Sequence, residues 1–112
     1  VENDSPMQSG ARNWGSGVAR LRCDGSQPRI TVDGPIDALN AGYIGWLVRR
    51  AHEEHDGRID LDTSHVPFVT AAGLGMLVQC ATTVRLTGPT ALLRRELALT
   101  GLSDVLELAD AG

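Results

Sequence analysis

The spacing of apolar residues changes period several times along the chain, and each change predicts an element. Residues 17–22, GVARLR, alternate imperfectly, with Val18 and Leu21 as the apolar positions, and turn through DGSQP. RITVDG then returns with Ile30 and Val32 on one face. Asp24-Gly25 followed by Pro28 supplies turn chemistry, so the two runs predict a β-hairpin. From Asp37 to Glu54 the period becomes helical. Tyr43, Ile44, Leu47, Val48 and Ala51 recur at three- and four-residue spacing, while Arg49, Arg50, Glu53 and Glu54 fall elsewhere. Asp56-Gly57 ends this helix, and RIDLDTS follows as a short buried strand whose alternate residues Ile59 and Leu61 share a face.

Beyond Pro67 an apolar helix is predicted from about Ala71 to Ala81. Leu74, Leu77 and Val78 form its buried stripe, leaving Ala72, Gly73, Gly75, Met76 and Gln79 nearer solvent. The strand TVRLTG comes next. PTALLRRELALT opens with proline at a helix start, where the missing N–H is harmless, and Gly101 closes it. LSDVLEL is expected as a last short helix with Ser103 as its cap. The order β-β-α-β-α-β-α-α predicts a single α/β domain: a mixed, mainly parallel sheet with an N-terminal β-hairpin and about four helices. Residues 1–16 are polar, rich in Gly and Ser and without a period. They read as a flexible leader in which Trp14 is the one residue able to dock, and residues 17–112 form the domain.

Composition fits one core: 112 residues, 42% hydrophobic and 21% charged. The net charge of -4 argues against a nucleic-acid partner, because that affinity rests on neutralising phosphates. No apolar run approaches the roughly 20 residues that span a bilayer, and the opening VENDSPMQSG has no basic or apolar signal region. A cytoplasmic protein that does not engage membranes is expected. Cys23 and Cys80 read first as free thiols. The predicted topology brings both to the same end of the sheet, so a redox pair is the alternative.

Catalytic chemistry is sparse. His52 and His55 lie at i and i+3 in HEEH without a third ligand, and His65 is remote in sequence, so no metal or other cofactor is expected. Asp60 and Asp62 share a strand face with no identifiable partner. Gly73-Leu74-Gly75 lacks the third glycine of a dinucleotide site and the lysine of a P-loop. Close packing of a helix start against a strand explains it more simply. The chain is not expected to be an enzyme.

Three stretches, VDGPIDALNAGYIGWLV, IDLDTSHVPFVTAAGLGMLV and VRLTGPTALLRRELALTGLSDVLEL, together resemble the STAS domain, and specifically bacterial anti-sigma factor antagonists. The likeness covers about residues 17–108. Gly34 to Asp37 looks like the family's Gly-Glu-Leu/Ile-Asp. Leu61 to Gly75 looks like its Leu-Asp-Leu-Ser-x-Val-x-Phe-Ile-Asp-Ser-x-Gly-Leu-Gly, and Gly101-Leu102 like its Thr-Gly-Leu.

The resemblance implies a protein that binds an anti-sigma factor of the histidine-kinase-like ATPase fold and so frees a sigma factor for transcription. In that family the anti-sigma factor phosphorylates a Ser, or sometimes a Thr, at the start of the helix after the third strand. Here Thr70 stands in the place of the family's Asp and Ala71 in that of its Ser, so the usual acceptor is missing. Thr70 is the alternative acceptor, although its hydroxyl could instead cap the helix. The implied binding residues are Asp37, Thr70, Ala71, Ala72, Gly73, Gly75, Met76 and Gln79, on a chain expected to be monomeric when free. Three readings follow: an antagonist without phospho-control, one controlled at Thr70, or a STAS domain with another job. That last class takes in a scaffold in a signalling complex, an accessory to a transport ATPase, and a nucleotide- or small-molecule-responsive module.

Overall fold

The structure, a computed structural model, describes residues 17–24 and 27–109. The leader with Trp14, the hairpin residues Gly25 and Ser26, and residues 110–112 lie outside the described residues. The elements are β1 (Val18–Asp24), β2 (Gln27–Asp33), α1 (Ala41–Glu54), β3 (Ile59–His65), α2 (Ala71–Gln79), β4 (Val84–Thr87), α3 (Ala91–Leu99), a 3-10 turn (Leu102–Asp104) and β5 (Glu107–Ala109). The strands form one sheet in the order β1-β2-β3-β4-β5, with β1 antiparallel to β2 and every later pair parallel. Crossovers of one hand, always to the next strand in the same direction, place all three helices on one face. Ile30, Val32, Ile59, Leu61, Val84 and Leu86 point into that layer and are completely buried, as are Ile44, Val48, Leu77, Leu93 and Leu97 from the helices.

The edge strand explains the imperfect alternation of its sequence. Ala19 is the position buried in the core, Leu21 beside it stays partly exposed, and Val18 lies on the opposite face with Arg20 and Arg22. Helix α1 starts at Ala41 rather than Asp37 because Asp37–Asn40 forms a turn first. The Ala41 N–H donates to the Asp37 carbonyl at 2.9 Å, and the Leu39 N–H donates to Asp37 Oδ1 at 3.0 Å. On α3, Thr90 rather than Pro89 sits at the helix start, its hydroxyl accepting the Leu93 N–H at 3.1 Å.

The predicted helix over LSDVLEL is instead one 3-10 turn followed by a strand. Gly101, at φ +79°, turns the chain out of α3, and Ser103 lies inside the short turn rather than capping it. Leu106 is buried, and Glu107 pairs in register with Arg85 on β4. Arg85 also supplies the partner missing for Asp60. Its Nε and Nη2 donate to Asp60 Oδ1 at 3.0 and 2.7 Å, across directly opposed positions of β3 and β4. Asp62 accepts from the Ser64 N–H and hydroxyl at 3.0 and 2.7 Å.

One buried polar side chain ties the β1 start to the β2–α1 loop. Asn40 is completely buried; its amide donates to the Gly17 and Pro35 carbonyls at 2.8 and 2.9 Å, and its Oδ1 accepts the Asp37 N–H at 2.8 Å. Replacing it removes three bonds and strands their partners in a site closed to water. Asn40→Ala is therefore expected to lower unfolding stability by about 2–4 kcal/mol, read from the urea midpoint.

Candidate functional site

The sheet continues past the ends of β2 and β3 as two connecting segments that run side by side. Gly34 N–H donates to the His65 carbonyl at 3.0 Å, Ile36 N–H to Phe68 at 3.2 Å, and Thr70 N–H to Ile36 at 2.9 Å, with a parallel bridge between Ile36 and Val69. This ladder sets Asp37 beside the first residues of α2 at the carboxyl ends of the parallel strands, where ligand and partner sites in such sheets form.

Helix α2 crosses directly above the ladder. A Cβ on Gly73 would lie 2.5 Å from Val69 Cγ1, 2.8 Å from Ile36 Cγ2 and 3.0 Å from the Ile36 carbonyl oxygen, so only glycine fits. That contact fixes the rotation of the helix. Gly73, Met76 and Leu77 face the core, Leu74 is half-buried, and Val78 is exposed. The expectation that Gly73 and Met76 face solvent while Leu74 and Val78 are buried is thus corrected. The apolar pattern weighs large residues, whereas the closest approach falls on the smallest. What the helix offers outward is Ala71, Ala72, Gly75, Val78 and Gln79.

Thr70 stands at the helix N-cap with extended backbone, and its carbonyl accepts the first helical bond, from Leu74, at 2.8 Å. Its side chain makes no capping bond. The hydroxyl oxygen is buried and has no hydrogen-bond partner among the described residues. The exposed position at the helix start is held instead by the Ala71 methyl.

Two features beside α2 escaped the sequence reading. A groove of about 320 Å³ separates α2 from α1, lined by Ala72, Gly75, Met76 and Gln79 on one side and by Gly42, Gly45 and Arg49 on the other. Glycines inside a helix cost stability, so Gly42 and Gly45 at i and i+3 are the signal that could have marked it. On the other flank Phe68, Leu92 and Leu99 are 45%, 57% and 78% exposed and form an apolar patch. It is joined to the start of α2 by a bond from Val69 N–H to Glu96 Oε1 at 3.3 Å.

Among the described residues no three His, Cys, Asp or Glu side chains converge to hold a metal ion. No helix among them is long and apolar enough to cross a membrane. Cys80 is a free, buried thiol at the end of α2; burial pushes its pKa up, and the Arg49 charge offsets this only in part. The Cys23 side chain lies outside the described residues.

Two consequences can be measured. Gly73→Ala should destabilise by about 1–3 kcal/mol through overpacking, whereas Gly75→Ala, with nothing within 4 Å of the new methyl, should stabilise by about 0.5–1 kcal/mol in the same urea titration. In a Cys23→Ser background, Cys80 should react with a thiol reagent much more slowly in the native than in the unfolded chain, because the reactive thiolate is disfavoured and buried.

A family model described as "Mlab, STAS domain" matches residues 19–108. No curated protein matches the sequence significantly. Among solved structures, an anti-sigma factor antagonist from Mycobacterium paratuberculosis superposes with a TM-score of 0.72 at 19% identity, over 96% of this chain and 90% of that one. The Bacillus cell fate determinant SpoIIAA in its phosphorylated form gives 0.60 at 17% identity, over 85% and 92%. The Thermotoga maritima protein TM1081 gives 0.70 at 18% identity, over 81% and 79%. These likenesses establish the fold, and the sequence match extends over nearly all the described residues: the chain belongs to the STAS domain family.

Proposed function

We propose that this protein is an anti-sigma factor antagonist whose binding is not switched by phosphorylation at the usual position. The partner is an anti-sigma factor of the histidine-kinase-like ATPase fold, and capture of that partner releases a sigma factor. One observation carries the reading: Gly73 holds the start of α2 so that a flat surface of Ala71, Ala72, Gly75 and Gln79 faces outward beside Asp37. Small side chains let another protein approach the helix closely, and the α1 groove and the Phe68 patch extend the available area on either flank.

The same surface argues about control. Phosphate at the helix start would add up to about two negative charges at the contact and so break it. Ala71 cannot carry phosphate, and the Thr70 hydroxyl is buried, so binding in this chain stays on unless another input changes it. The missing acceptor also favours a second reading, in which the surface is a permanent contact of an accessory subunit in a signalling complex or transport ATPase.

The test is a pull-down from native cell extract with the wild type as bait and Ala72→Arg and Gly75→Glu as controls, both of which extend into open solvent and preserve the fold. Recovery of a kinase-fold anti-sigma factor by the wild type alone is expected. With that partner and ATP the wild type should keep an unchanged intact mass, whereas Ala71→Ser should gain phosphate and bind at least about tenfold more weakly. Recovery of transport-ATPase or scaffold subunits instead would replace the antagonist reading with the second one.

A further inference from the structure

None of the described helices covers the other face of the sheet, and its charges are unevenly matched. Around β3–β5 the arginines have carboxylates: Arg85 pairs with Asp60 at 2.7 Å and reaches Glu107 at 3.8 Å, and Arg58 meets Glu107 at 2.8 Å. On the hairpin they form no ion pair among the described residues, although Arg29 stands in register with Asp60 of β3. Arg20 and Arg22 of β1 and Arg29 of β2 are exposed on this face, and none has an ion-pair partner among the described residues. Arg22 stands directly opposite Arg29 in register, and like charges so placed repel. Arg20 faces Thr31, and a groove of about 290 Å³ runs along the pair to Asp33 and Val18 at its far end.

This cluster borders an open edge. Among the described residues β1, seven residues long, is the last strand of the sheet on its side, and one row of its backbone N–H and C=O groups has no partner strand there. Arg20 and Arg22 project on one face about 6.7 Å apart, the repeat of alternate residues in an adjoining strand. Between them Leu21 projects on the helix side and is 37% exposed. A second copy of β1 is a poor match, since antiparallel pairing centred on Leu21 would oppose Arg20 of one copy to Arg22 of the other.

We propose that the β1 edge is a strand-addition site for an extended acidic segment of a partner protein. Carboxylates at alternate positions sit opposite Arg20 and Arg22, and an apolar residue between them covers Leu21. Backbone pairing supplies the affinity and the arginine forks select the charge pattern. The site is separate from the α2 surface and stands or falls independently of it.

A fluorescein-labelled peptide of about ten residues, alternating glutamate with valine, tests this on the full chain by anisotropy at low ionic strength. Saturable one-to-one binding is expected, at least about tenfold weaker for Arg20→Glu/Arg22→Glu and weakened in part by the neutral Arg20→Gln/Arg22→Gln pair. Both pairs are exposed, and an unchanged urea midpoint verifies their fold. Two further peptides, N-methylated on the odd or on the even amides, separate pairing from simple attraction: one should lose binding and the other keep it. Equal binding by both, no saturable binding by the parent peptide, or sedimentation of the wild type as a dimer that Arg20→Glu/Arg22→Glu dissociates would each overturn the proposal.

Discussion

The contact between Gly73 and the Ile36–Val69 ladder is the constraint on which the rest of the structure depends. Two loops that leave adjacent parallel strands stay paired for several residues beyond them, and a helix then has to cross that pair at backbone distance. A single absent side chain makes this geometry available. Once Gly73 is seated, the rotation of the helix is set: Met76 and Leu77 turn to the core and Ala71, Ala72, Gly75, Val78 and Gln79 turn out. The outward face of α2 is therefore set by how closely the helix lies on its support.

Much of the fold was legible because each element carries its own period. The hairpin, α1 and β3 stood out where apolar residues recur at two or at three-to-four positions, and the order of elements then implied a parallel sheet with a hairpin at one side. What was not legible was decided between elements. Strand β5 contributes only Glu107–Ala109, too short for a period, and is defined by its pairing with β4. The rotation of α2 depends on Ile36, which lies in a loop far away in sequence. Asp60 showed no partner because its arginine is on the next strand, 25 residues on. The resemblance singled out the start of α2 from the motif alone, but the groove against Gly42, Gly45 and Arg49 needed the two helices in contact.

Charge in this protein is arranged by half of the sheet. All ten Lys and Arg positions are arginines, and among the described residues those near β3–β5 are tied to carboxylates while those on the hairpin are not. The bonded set ties the short β5 to its neighbours, where a three-residue ladder alone offers little. Buried polarity is handled unevenly as well. Asn40 satisfies three backbone groups at the start of the domain, whereas the buried Thr70 hydroxyl has no hydrogen-bond partner among the described residues.

The strand order has a consequence for how the chain reaches this state. Because β1 to β5 lie in the sheet in the order in which they occur in the sequence, no strand is ever inserted between two that are already paired. Each closure spans a turn or one helix with its loops, so its entropic cost is modest and similar at every step. A ribosome releasing the chain from its N-terminus presents the hairpin first and then one strand–helix unit at a time, each with a finished edge to add to. The growing edge moves from β2 to β5, and the edge left behind, β1, carries Arg20 and Arg22 from the first step to the last.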